Sequence, residues 1–370
     1  MRFPRKTTTL LSCVALAIGA AACGSDDDNS STAASTSGGG STSAQLSGSI
    51  AGAGASSQAA AAEAWIAGFQ EQNPDATISY DPIGSGGGRE QFIAGGVAFA
   101  GTDSALDEEE IRGAQRVCTD VVEVPVYISP IAIIYNLPGV EDLRLTPDTL
   151  ARILKGDIEN WNDPVIAREN PDAELPDTRI TPVHRSDESG TTENLAEYLA
   201  AVAPDAWSFE VSGDWPVRGG EAADGTSGVV DAVAAGEGTI GYADASQAAD
   251  LGQALIQVGS EYTGPTPEAA AAILEDSRRV EGTGDHIFAY ELRRDTTESG
   301  TYPIVLVSYG VACTSYRDAQ TANLTRAYMQ WIVSPEGQEA AASSAGSAPL
   351  SEALRTQIQP AVDAIGSANQ

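Results

Sequence analysis

The sequence predicts an α/β fold with parallel sheet content. From Leu46 onward, strand-like and helix-like segments alternate, a pattern that favours parallel strands joined by helical crossovers. Short polar loops stand where the predicted strands run into predicted helices, which is where folds of this class bind ligands. No internal repeat of roughly 20–50 residues points instead to a solenoid or propeller.

The elements follow in order. Ala62, Trp65, Ile66 and Phe69 make an i, i+3, i+4, i+7 stripe, so residues 57–71 read as an amphipathic helix. Residues 76–80 alternate as a strand, and 89–94 continue a helix out of a glycine loop. Residues 121–137 are β-rich and read as a run broken by Pro125 and Pro130. Residues 146–158 read as helix, 180–185 as strand, and 192–202 as helix with Leu195, Tyr198, Leu199 and Val202 on one face. Residues 238–243 and 304–311 read as strands; the last fifty residues read as helical, interrupted at Pro335 and Pro349.

The amino terminus reads as an export signal over residues 1–22. Arg2, Arg5 and Lys6 precede an apolar run from Leu10, and Ala20-Ala21-Ala22 precede Cys23. The run is too short for a membrane span, which needs about 20 apolar residues. Small residues before a cysteine resemble a lipoprotein processing site with Cys23 as the lipidated first residue, although Ala20 stands where leucine is usual. Ordinary signal cleavage is the alternative. Residues 23–47 are rich in Ser, Thr, Gly, Ala and Asp, too polar to offset their ordering entropy, and read as a flexible tether. The remaining length, about 325 residues, suffices for two domains.

The formal net charge of −32 excludes nucleic acid as partner, since that needs clustered Lys and Arg. It also disfavours an anionic membrane surface. Lys6 and Lys155 are the only lysines. Of four cysteines, Cys13 leaves with the signal and Cys23 is the lipid candidate. Cys118 and Cys313 remain as an even pair in an exported chain and are expected to form a disulfide, the alternative being two buried thiols. His184 and His286 do not cluster with them, so no metal and no cofactor is expected.

Four loops read together as one anion site: Gly54-Ala55-Ser56-Ser57, Gly84-Ser85-Gly86-Gly87-Gly88, Gly101-Thr102-Asp103-Ser104, and Arg185-Ser186-Asp187-Glu188-Ser189-Gly190-Thr191. Three of them lead into helical patterns, and a helix start offers unpaired N–H groups and a positive dipole end. The other carries Asp103. An ionised carboxylate only accepts hydrogen bonds, so an anion held against it must bring its own proton.

The ordered set of motifs is highly specific. Gly52-Ala53-Gly54-Ala55-Ser56, Ile83-Gly84-Ser85-Gly86-Gly87, Thr102-Asp103-Ser104-Ala105-Leu106, Arg185 to Thr191 and Gly238-Thr239-Ile240-Gly241-Tyr242 together resemble the phosphate-binding protein of the phosphate-specific ABC importer. The similarity runs from about Leu46 to Leu354 and includes Asn160-Trp161 and Ser347-Ala348-Pro349-Leu350. The resemblance implies a two-domain periplasmic binding protein-like fold (type II) that closes on inorganic phosphate. It places the crossings near Ile128 and Ile304, so that 48–127 and 304–370 form a discontinuous domain one and 128–303 domain two. It assigns phosphate contacts to Ser56, Ser57, Ser85, Asp103, Arg185, Ser189, Gly190 and Thr191. Asp187 is expected to orient Arg185. Ser57 stands where the family has an aromatic residue that contributes its backbone N–H. Glu188 reads as solvent-facing, and Trp161 and Tyr242 as packing residues.

The expected protein is thus an exported monomer, lipid-anchored to the outer face of the cell membrane, that hands phosphate to membrane permease subunits without catalysis. A phosphatase-like hydrolase is the alternative from another class. It lacks a supported Ser-His pair, a Cys nucleophile and a His/Asp cluster for two metals. A binder of sulfate, molybdate or arsenate is a third reading; Asp103 opposes the first two and leaves protonated arsenate open.

Overall fold

The computed structural model describes residues 46–281 and 284–367. The signal, Cys23 and all but the end of the tether lie outside the described residues. One nine-stranded sheet organises the chain, in the order Ala76–Asp81, Gly48–Gly54, Phe99–Thr102, Val305–Cys313, Val121–Asn136, Thr239–Asp244, Thr181–Arg185, Glu221–Ala223, with Gly252–Gln253 paired on the side of Val121–Asn136. The three strands at one end are parallel to each other, as are the three at the other. Between them Val305–Cys313 and Val121–Asn136 run antiparallel.

Val121–Asn136 is a single strand of 16 residues and is not broken at its prolines. Proline lacks an N–H and is tolerated at bulges and strand ends. Pro125 faces a register shift between Ser308 and Tyr309. Pro130 faces Val305, the first residue of its strand, and the next residue, Ile131, already pairs with Asp244. The long strand therefore changes partner between Pro130 and Ile131. Both prolines sit where the ladder is already interrupted, which local sequence rules cannot anticipate. Ile131 N–H also donates to Ile304 C=O at 2.7 Å, so the two segments read as crossings touch.

Helix Ala59–Gln72 follows a short 3₁₀ turn, Ser56–Gln58. It buries Ala62, Trp65 and Phe69 and half-buries Ile66. The glycine-loop helix begins earlier than expected and spans Ser85–Ile93, so Gly86 to Gly88 are helical. Glycine weakens a helix, but a Cβ on Gly88 would lie 2.4 Å from Gly54 Cα. Close approach decides the residue. Gly54 itself has φ +151°, and a Cβ there would meet Gly101 C=O at 1.9 Å.

Helices Glu108–Ala114, Pro164–Glu169, Gly225–Ala235 and Pro267–Glu275 were not foreseen. The first carries a complete capping box between Asp107 and Glu110. The carboxyl-terminal helices are Ala319–Val333, Pro335–Ala345 and Glu352–Asp363, with Pro335 in a first turn, where its missing N–H costs nothing. Among the described residues no helix is long and apolar enough to cross a membrane.

Cys118 and Cys313 form a disulfide across 195 positions of sequence, with Cα atoms 5.1 Å apart. It staples the segment leading into Val121–Asn136 to the last residue of Val305–Cys313. The chain-entropy model gives on the order of 5 kcal/mol for such a loop, an upper figure. Reduction is expected to lower the melting temperature while leaving ligand affinity nearly unchanged in protein still folded. Thermal melts and calorimetry with and without reductant check both. An unchanged melt would refute the stabilising role.

Glu123 lies on the long strand with no exposure. Its Oε1 accepts from Leu106 N–H at 2.8 Å, holding the loop that begins at Asp103, and its Oε2 is buried without a partner among the described residues. Burial pushes this carboxyl up to about 8, opposed by the Leu106 N–H and Arg89 and reinforced by Glu110. The unfolded chain loses that proton in the ordinary carboxylate range. From there to about 8 the native state binds more protons, so stability falls as pH rises through the window. Glu123→Gln should therefore melt close to wild type near pH 4 and progressively higher than wild type toward about pH 8. Parallel melting curves across that range would show that Glu123 does not titrate this way.

Candidate functional site

The four loops converge. Ala55 N–H donates to Gly101 C=O at 2.9 Å, and Gly84 N–H to Gly54 C=O at 3.0 Å, which brings the first three loops together at the carboxyl ends of neighbouring parallel strands. The fourth loop, after strand Thr181–Arg185, meets them from the other parallel group. A Cβ on Gly190 would lie 2.6 Å from Asp103 Cβ and 2.7 Å from Ser85 Oγ. Only glycine lets this helix start sit against the carboxylate.

Asp103 is 3% exposed, and every polar group it has is engaged. Its N–H donates to Ser85 Oγ at 3.1 Å, and its C=O accepts from Asn194 Nδ2 at 2.8 Å. Ser57 Oγ lies 2.8 Å from both carboxylate oxygens. Ser308 Oγ donates to Oδ1, and Thr191 Oγ1 donates to Oδ2 at 3.2 Å. Burial raises the Asp103 carboxyl; the hydroxyls of Ser308, Ser57 and Thr191 and the charge of Arg185 oppose it.

Arg185 is buried and pairs with Asp187, donating from Nε at 2.7 Å and also from Nη2. Asp187 accepts Gly225 N–H at 3.1 Å as well. Burial pushes Asp187 up, but the hydrogen bonds and charge of Arg185, with the Gly225 N–H, hold it below the ordinary carboxylate value. Arg185 N–H donates to Tyr242 Oη at 3.2 Å, and that hydroxyl lies 2.7 Å from Thr192 Oγ1. Tyr242 thus carries a polar contact beside the arginine in addition to packing. Ser189 caps helix Gly190–Val202, accepting Thr192 N–H at 3.2 Å. Ser56 Oγ accepts Thr226 N–H at 3.0 Å and lies 3.0 Å from Thr226 Oγ1.

The structure thus gathers all eight expected contact residues, with Asp187, into one region. It adds three that the sequence reading missed. Thr226 opens helix Gly225–Ala235; its signal was present in Asp224-Gly225-Thr226 before an apolar helical run. Asn194 lies one turn into its helix, and Ser308 lies mid-strand at a bulge; neither has a local signal. The expected solvent-facing Glu188 is corrected: its Oε1 accepts from Arg89 Nη2 at 2.7 Å. Arg89 is buried and also holds Glu110 at 2.6 Å and Thr102 Oγ1 at 3.0 Å. Ser104 Oγ donates to Glu193 Oε2 at 2.5 Å. The arrangement offers an anion hydroxyls, helix starts and one arginine, against one carboxylate that only accepts.

Comparison with known proteins agrees with this architecture. A family model described as a PBP superfamily domain matches residues 39–336. Phosphate-binding protein PstS2 of Mycobacterium bovis is 32% identical over 319 residues, covering 84% of this chain and 86% of the relative. Phosphate-binding protein PstS3 of the same organism is 33% identical over 318 residues, covering 84% and 85%. Among solved structures, a high-affinity periplasmic phosphate-binding protein with phosphate bound matches with a TM-score of 0.68 at 22% identity, over 85% of this chain and 93% of that one. A phosphate-binding protein from Stenotrophomonas maltophilia matches with a TM-score of 0.66 at 20% identity, over 85% and 93%. At those identities the structural likeness speaks for the fold alone. The extent of the sequence matches is decisive: this chain belongs to the PBP superfamily, in the family of the PstS phosphate-binding proteins.

Proposed function

We propose that this protein binds inorganic phosphate outside the cytoplasm and delivers it to the permease subunits of an ABC importer, without catalysis. One observation carries the reading: a buried carboxylate, Asp103, stands among helix starts, hydroxyls and Arg185. Near neutral pH phosphate is a mixture of mono- and dianion, and each keeps a proton that Asp103 accepts. Sulfate has none. Two facing acceptors without a hydrogen leave a buried charge unpaired, at a cost of several kcal/mol.

Arg185 supplies charge-assisted donors, with Asp187 fixing its plane. The starts of Ser85–Ile93, Gly190–Val202 and the turn at Ser56 supply further N–H groups and hydroxyls. In this reading residues 48–127 and 304–370 form one lobe and 128–303 the other, and the chain bends where the long strand changes partner. The contacts Ser56–Thr226, Asp103–Thr191, Asp103–Asn194, Arg89–Glu188 and Ser104–Glu193 then lie between the lobes. Lobe closure excludes water and strengthens every polar contact with the ligand. The reading extends to a monomer tethered by a lipid on Cys23, supported by Ala20-Ala21-Ala22 and the polar segment after it. Intact mass of protein extracted from membranes tests that anchor.

Asp103→Asn replaces an acceptor-only group with one that also donates. Calorimetry is expected to show phosphate and sulfate affinities converging; full retained discrimination would remove Asp103 as the selectivity element. Arg185→Ala should weaken phosphate by about 2–5 kcal/mol while the free protein stays folded. Wild-type affinity by calorimetry, or loss of the native circular dichroism spectrum, would contradict that role.

A further inference from the structure

We propose that Ser57 and Ser308 are positioning residues that keep Asp103 an acceptor-only carboxylate and thereby set the pH range over which the site rejects fully deprotonated oxyanions. This rests on the phosphate-binding reading and goes beyond it, because it assigns selectivity to side chains placed behind the carboxylate.

Both serines have no exposed surface. They reach Asp103 from separate elements, Ser57 from the turn Ser56–Gln58 and Ser308 from strand Val305–Cys313. Ser308 stands at the register shift opposite Pro125 and Tyr127. Bulges turn a side chain out of the regular ladder, and here that side chain meets Oδ1. Ser57 Oγ is equidistant from both oxygens at 2.8 Å, so its one proton is shared between them. The third hydroxyl, Thr191, sits across the site at 3.2 Å from Oδ2. It is the longest of these contacts and the one on the helix start expected to meet ligand, so a ligand hydroxyl replaces it. Ser57 and Ser308 remain in place behind.

The two serines offset a definite physical cost. A carboxyl this buried favours its neutral form, and a neutral Asp103 carries an O–H that donates. A donating Asp103 accommodates sulfate as readily as phosphate. The groups facing it are few: Arg185, itself paired with Asp187, and Tyr80, whose hydroxyl donates to Ala55 C=O at 3.0 Å. Neither donates to the carboxylate. The hydroxyls of Ser308 and Ser57 are the main groups opposing burial. Hydrogen bonds to the charged form favour it, so their removal raises the carboxyl further.

The test is calorimetry of the folded protein with inorganic phosphate and with sulfate between pH 5 and 8. Wild type, Ser57→Ala, Ser308→Ala, Ser57→Thr and Ser308→Thr are compared, each checked by thermal melt. Every unit of upward shift multiplies the neutral fraction about tenfold. The alanine variants are therefore expected to bind sulfate about tenfold better than wild type at pH 5–6 and to approach wild-type selectivity by pH 8. At least one threonine variant should keep the wild-type profile. Ser308→Ala decides the matter if Ser57→Ala does not fold. Equal weakening of both anions at every pH would mean a structural role and overturn the inference alone. A wild type that binds no phosphate would overturn the phosphate reading and the inference with it.

Discussion

A carboxylate removed from water has to be satisfied by something, and the architecture around Asp103 follows from that requirement. Its oxygens receive hydroxyls from three elements far apart in sequence, Ser57, Thr191 and Ser308. Its backbone N–H and C=O are taken by Ser85 and Asn194. None of these contacts is worth more than a few kcal/mol. Together they fix one carboxylate orientation, and that orientation decides what an incoming anion must offer.

The sheet makes the convergence geometrically feasible. Parallel strands deliver their loops at the same end, and two such groups are joined through an antiparallel pair whose longer member serves both. Glycine at positions 54, 88 and 190 removes the side chains that would keep the loops apart. A second polar layer lies beside the site. Arg89 holds Glu110, Thr102 and Glu188, and Arg294 holds Glu197 and Asn194. In a chain of net charge −32, these buried arginines organise local clusters of carboxylates and carbonyls rather than adjust the total.

Much of this was legible because it is local. Hydrophobic periodicity marked Ala59–Gln72 and Gly190–Val202, alternation marked Ala76–Asp81, and the order of the polar loops marked the site. An even pair of cysteines in an exported chain gave the disulfide. What stayed hidden depends on distant partners. Pro125 and Pro130 look like breaks until the neighbouring strand shows a bulge and an ending. Glycines 86 to 88 look like a loop until Gly54 is seen against them. Ser308, in an apolar strand, and Glu188, in a polar loop, look unremarkable locally. Only the fold brings the first to Asp103 and the second to Arg89.

The bond between Cys118 and Cys313 also changes what damage can do to this molecule. It encloses 195 positions of sequence, including the whole Arg185 to Thr191 loop and most surface turns of the chain. A single peptide cleavage anywhere inside that ring opens the backbone without releasing a fragment. The severed ends stay covalently joined, and the sheet still holds its strands in register. For a protein exposed to extracellular proteases, the crosslink converts an excision into a nick, and a nicked molecule can keep its ligand-binding loops assembled.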